Sequence, residues 1–74
     1  MTLEQLNPGD RARVVGIHGG RGLRRHLEQV GIHPGDILSL ESLSAFRGPI
    51  LIEVHGSRIA LGRGVARKVI VEPT

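Results

Sequence analysis

The sequence has no cysteine, which excludes disulfide staples, thiolate nucleophiles and cysteine-based zinc sites. Its single aromatic residue is Phe46. Grooves for proline-rich peptides and stacking platforms for single-stranded nucleic acid both need several rings, so neither use fits. No apolar run approaches the roughly 20 residues of a membrane span, and Met1-Thr2-Leu3-Glu4 lacks the basic start and apolar stretch of a signal peptide. A soluble, cytoplasmic protein is expected. Charge of one sign is also scarce. Ten Lys and Arg against seven Asp and Glu give a net +3, which suits an anionic surface without announcing a nucleic-acid binder.

What is present is a chain of 74 residues, 39% apolar, sized for one domain over residues 1–74 with a core of Val, Ile, Leu and Ala. Such a small core leaves stability marginal, which keeps oligomerisation or stabilisation by a partner open. Thr2 followed by Gln5 has capping-box spacing, so Thr2 to Leu6 reads as one capped turn. Asn7-Pro8-Gly9-Asp10 breaks it and starts a strand from Arg11 to Ile17, with Ala12 and Val14 on one face. After a glycine-rich loop the period changes from two to 3.6. Leu23, Leu27 and Val30 then form the buried stripe of a two-turn helix.

That helix is brought to an abrupt stop. Gly31 supplies a left-handed terminus, Ile32 stands where a Schellman cap packs back on Leu27, and Pro34-Gly35 turns the chain into a strand from Asp36 to about Leu43. A loop over residues 44–49 leads to a third strand with Ile50, Ile52 and Val54 facing one way. Gly56-Ser57 reads as a two-residue hairpin turn into Arg58 to Leu61. A short helical turn at Gly62 to Arg67 precedes a last strand, Lys68 to Glu72, with Val69 and Val71 inward. Five short strands with tight turns predict a mostly β protein: a closed or nearly closed SH3-like barrel carrying one inserted helix at about Leu23 to Val30.

Taken together, these pieces resemble the FeoA family, small cytoplasmic accessories of bacterial ferrous-iron uptake with an SH3-like fold. The resemblance rests on Leu3 to Leu6 with Pro8-Gly9-Asp10, Val14 to Ile17, Leu23 to Leu27, and Val30-Gly31-Ile32-His33-Pro34-Gly35. It continues through Gly48 to Val54, Gly56 to Leu61 and Ala66 to Val71. The module is also similar to the C-terminal domain of metal-dependent repressors, although 74 residues leave no room for a DNA-binding helix-turn-helix domain beside it. The family resemblance implies a regulatory or assembly role on the cytoplasmic side of the FeoB membrane transporter, whose soluble part hydrolyses GTP. It implies no chemistry by this chain, no cofactor and no small-molecule substrate. Any membrane contact would be through the partner.

The residues agree with a binding role. Ser39, Ser42, Ser44 and Ser57 stand in strand or turn contexts with no paired His and carboxylate. The four histidines follow no compact ligand pattern, and only His26 and His33 rank as weak metal candidates. Gly19-Gly20-Arg21-Gly22 before the helix reads as a strand-to-helix loop, lacking the full phosphate-loop motif. Arg24 and Arg25 in the first helical turn, with Glu28 near the end, oppose the helix dipole at about 0.3–1 kcal/mol each. Arg21, Arg24 and Arg25 are therefore the expected partner contacts, with Phe46 at a loop tip as the apolar element. Leu51 and Arg58 are secondary candidates, although burial is favoured for Leu51 and for Ile70. An SH3-like module that grips duplex nucleic acid or RNA through Arg–phosphate contacts is the alternative.

Overall fold

The computed structural model describes residues 1–74. A 3₁₀ turn at Leu3–Gln5 leads into β1 (Arg11–Ile17), helix α1 (Arg21–Gln29) and β2 (Ile37–Leu43). A second 3₁₀ turn at Ala45–Arg47 precedes β3 (Ile50–Val54), β4 (Ser57–Leu61), α2 (Arg63–Ala66) and β5 (Val69–Pro73). The strands make one antiparallel sheet in the order β4-β3-β2-β1-β5. The architecture is SH3-like and barrel-like as expected, but β4 and β5 are not paired, so hydrogen bonds do not close the cylinder. The edge at β5 is instead covered by the N-terminus, where Thr2 bridges Ile70 and the Val71 N–H donates to the Met1 carbonyl at 2.8 Å.

Two bulges bend the sheet around its core. In β1 the pairing with β5 shifts between Val14 and Gly16, leaving Val15 outward and 52% exposed. This extra residue changes the inward parity. Ala12 and Val14 are buried, and Ile17, opposite Val69, packs against the core. A matching shift between Leu40 and Ser42 in β2 carries Glu41 out of register. Leu3, Leu6, Leu27, Ile32 and Ala66 fill the core beside the inward residues of all five strands.

The helix terminus forms as the residues dictate. Gly31 has φ +96°, the Gly31 N–H donates to the Glu28 carbonyl at 3.0 Å, and the Ile32 N–H donates to the Leu27 carbonyl at 2.9 Å. Those two bonds are the Schellman pair, and Ile32 and Leu27 are both fully buried. At its other end α1 begins two residues earlier than the apolar stripe suggested. Gly20 in extended geometry serves as N-cap, and its carbonyl accepts from the Arg24 N–H at 3.1 Å. The preceding Gly19 lies against Leu23, where a Cβ would come 2.7 Å from Leu23 Cδ2 and the leucine's end would have to turn aside.

Asn7-Pro8-Gly9-Asp10 and His33-Pro34-Gly35-Asp36 fold into the same turn. In each, the Asp N–H donates to the carbonyl three residues back, and the Asp carboxylate accepts the backbone N–H of that residue at 2.8 Å. The two turns are bolted to opposite strands: the Gly9 N–H donates to Leu40 in β2, and the Gly35 N–H to Val14 in β1. The last hairpin corrects the sequence reading by one residue. Val54 pairs with Ser57, so the turn residues are His55 (φ +54°) and Gly56 (φ +78°), the two positive angles a type I′ turn requires. A non-glycine residue is uncommon at such an angle, although histidine adopts it more readily than most.

Candidate functional site

The first turn of α1 carries no acidic residue, and Arg21, Arg24 and Arg25 are all exposed. Leu27 on the opposite side is buried, with Leu23 and Val30 half-buried beside it. Arg21 and Arg24 thus stand in the turn that favours anions, with Arg25 one residue beyond it. The Arg24–Glu28 pairing that their i,i+4 spacing suggests does not form. The Arg24 Nη2 donates instead to the Ile17 carbonyl at 3.3 Å, while Arg24 and Glu28 line one shallow pocket with Gly16, Ile17 and Pro34. Arg21 and Arg25 are left without ion pairs.

Phe46 stands fully exposed in the second 3₁₀ turn, with φ +56°. The next residue of that turn, Arg47, lines a pocket with Glu4, Arg63 and Arg67 from other segments, and no bond or pocket joins this loop to α1. The expected single docking set is therefore divided between two places. Leu51 and Ile70 are half-buried. Arg58 is exposed on β4 opposite Glu53, with its Nε 3.8 Å from Glu41. Val15 and Leu43 are the outward apolar residues that the reading of alternation did not find. Each lies beside a bulge, and the only signal in the sequence was Gly16 inside a strand.

The histidines are sorted by the fold rather than gathered. His26 is exposed on α1. His33 and His55 both meet Asp36, with His33 Nδ1 at 3.4 Å from Oδ2 and His55 Nε2 at 3.0 Å from Oδ1. No group of three or more His, Asp or Glu side chains is placed to hold a metal ion. The Asp36 contact accounts for His55 in its left-handed turn: the ring reaches the carboxylate of the other turn and ties the β3–β4 hairpin to the start of β2.

Partial burial pushes the Asp36 carboxyl's pKa up, but the His33 backbone N–H, the His55 ring and then the His33 ring outweigh it, so the net shift is downward from 3.8. A carboxyl whose folded pKa lies below its unfolded one contributes stability above the unfolded value. That contribution disappears as pH falls through the folded pKa. Thermal stability is therefore expected to decline below about pH 4, and Asp36→Asn should flatten that acid limb while lowering stability at neutral pH. Equal slopes for the two proteins in a series of melts from pH 2.5 to 6 would show that Asp36 carries no such linkage.

Comparison with known proteins adds the family context. A family model described as FeoA domain matches residues 1–73. A protein of Methanocaldococcus jannaschii named Fe(2+) transport protein A is 38% identical over 64 residues, covering 86% of this chain and 76% of that protein. The crystal structure of an iron uptake regulatory protein (FeoA) superposes with a TM-score of 0.91 at 36% identity, over 100% of this chain and 96% of the other. A manganese-dependent transcriptional repressor complexed with manganese gives a TM-score of 0.93 at 22% identity, over 100% of this chain and 36% of the repressor. That last likeness is one of fold alone.

Proposed function

This chain belongs to the FeoA family, and from that premise we propose that it is a non-enzymatic accessory of ferrous iron uptake that docks on the cytoplasmic side of an FeoB-type GTPase transporter. The observation that carries the reading is the N-terminal half of α1, where Arg21, Arg24 and Arg25 are exposed and the first turn holds no acidic residue. An acidic surface on the partner supplies the anions that this helix end lacks. Phe46 provides a separate apolar contact on the β2–β3 connection. No helix of this chain is long and apolar enough to cross a membrane, so the reading places membrane attachment on the transporter.

The test is capture from detergent-solubilised membranes, followed by GTPase and iron-uptake assays with and without the chain. The transporter should co-purify and its GTPase or uptake rate should change at least twofold. Absence of both capture and any rate change would end the docking reading. Salt separates it from phosphate-backbone binding. Duplex affinity should fall by roughly three to five orders of magnitude between about 50 and 200 mM salt if six to ten phosphates are contacted, whereas a mixed protein face should lose far less.

A further inference from the structure

A second basic feature lies away from α1. Glu4, Arg47, Arg63 and Arg67 line a pocket of about 180 Å³ with no apolar side chain in its wall. They come from the first 3₁₀ turn, the second 3₁₀ turn, α2 and the residue that ends α2. Three guanidinium groups face one carboxylate, a formal +2 in a single recess. Like charges so gathered repel, yet the fold holds two of them in place. The Arg63 Nε donates to the Gly48 carbonyl at 3.0 Å, and the Arg67 Nε donates to the Glu4 carboxylate at 2.6 Å. Arg47 enters no ion pair. Phe46 and Arg47 are consecutive left-handed residues, φ +56° and +59°, a conformation that concentrates where loops bind ligands. The loop is tight as well, since a Cβ at Gly48 would lie 2.9 Å from Ser44 Cβ.

We propose that Arg47, Arg63 and Arg67 form a binding site for a doubly charged phosphate group, either free phosphate or a soluble monoester. Charge selects that ligand. A phosphate monoester carries about −1.5 to −2 near pH 7 and matches the recess, whereas a single carboxylate leaves a guanidinium uncompensated. Geometry agrees, because Arg63 and Arg67 spend their Nε donors on the protein and keep their Nη groups for the planar, two-pronged contact that guanidinium makes with phosphate. Both are already oriented, so less side-chain freedom is lost on binding. Glu4 is the built-in competitor, holding Arg67 when the pocket has no anion. This site is independent of the docking reading and can stand or fall without it.

The experiment follows the arginine Nε–H signals by NMR during titration with sodium phosphate at constant ionic strength, repeated with glycerol phosphate. Arg47, Arg63 and Arg67 should shift and saturate together, with Arg11 and Arg21 unmoved. Arg47→Gln should weaken binding at least fivefold, and Glu4→Gln should tighten it by removing the competitor. Backbone spectra of both variants establish that the fold is retained. Shifts that never saturate, or that spread evenly over all the arginines, would overturn the site. So would binding to phosphatidylglycerol vesicles in the absence of any response to the soluble phosphates, which would make this face a lipid contact. Displacement by a hexaglutamate peptide at concentrations below those needed for phosphate would assign it to an acidic protein and end the proposal as well.

Discussion

Leu27→Ala should destabilise this protein by about 2–5 kcal/mol, the largest stability effect expected of any single truncation in α1. Leu27 is the only fully buried residue of that helix, at 0% exposure, and its carbonyl receives the Ile32 N–H that closes the helix. Removing its isobutyl group withdraws apolar surface from the core and leaves a cavity. The core residues opposite come from strands held by their own ladders and will not collapse to fill it. At roughly 0.05–0.15 kcal/mol per residue, a protein of this length has a total stability of only about 4–11 kcal/mol. A fall in melting temperature of about 10 °C or more follows from the entropy of unfolding for a domain of this size. Circular dichroism melts measure it directly. A loss below about 1 kcal/mol would mean that Leu23 and Val30, half-buried on the same stripe, anchor the helix without it.

Reversing Arg24 and Arg25 to glutamate should have effects of opposite sign on binding and on folding. Partner capture should fall at least tenfold, about 1.4 kcal/mol, because two attractive charges become repulsive ones facing an acidic surface. The fold should meanwhile hold or gain, since the glutamate at position 24, in the first turn of α1, interacts favourably with the helix dipole by about 0.3–1 kcal/mol, while position 25 lies just beyond that turn. Loss of the exposed bond from Arg24 to the Ile17 carbonyl offsets part of that gain. Arg11→Glu combined with Arg13→Glu on the outward face of β1 is the matched control. It makes the same charge change away from α1. If the double variant captures the transporter as well as the original chain does, or if the control loses as much, the helix is not the docking element. Since Arg24 and Arg25 carry no ion pair in the fold, their reversal breaks none, and a loss of capture would not be the loss of an internal salt bridge.

The stop at Gly31 was legible in the residues because everything it needs lies within five positions: a left-handed glycine, an apolar residue to pack back, and a proline to prevent continuation. The strands were legible where alternation runs unbroken, as in Ile50, Ile52 and Val54. Alternation failed at Val15 and Glu41, where one extra residue shifts the pairing. A bulge is a property of two strands facing each other, and one strand's residues do not declare it. The β3–β4 turn was displaced by one residue for a related reason. His55-Gly56 is not one of the dipeptides that announce a left-handed hairpin turn, and Asp36 meets His55 there from nineteen positions away.

The sites divide in the same way. Arginines set against the polarity of α1 could be read directly, since the conflict between charge and helix end is local. The pocket of Arg47, Arg63 and Arg67 could not, because its members reach Glu4 across 63 residues of sequence. By itself, then, the order of residues determined the helix stop, the paired proline–glycine turns and most of the inward-facing set, for these follow from steric rules acting over a few bonds. Only the tertiary structure decided the bulges, the open seam between β4 and β5, the tie between Asp36 and His55, and which arginines share a recess. Those depend on contacts between distant segments, whose geometry exists only once the chain has closed on itself.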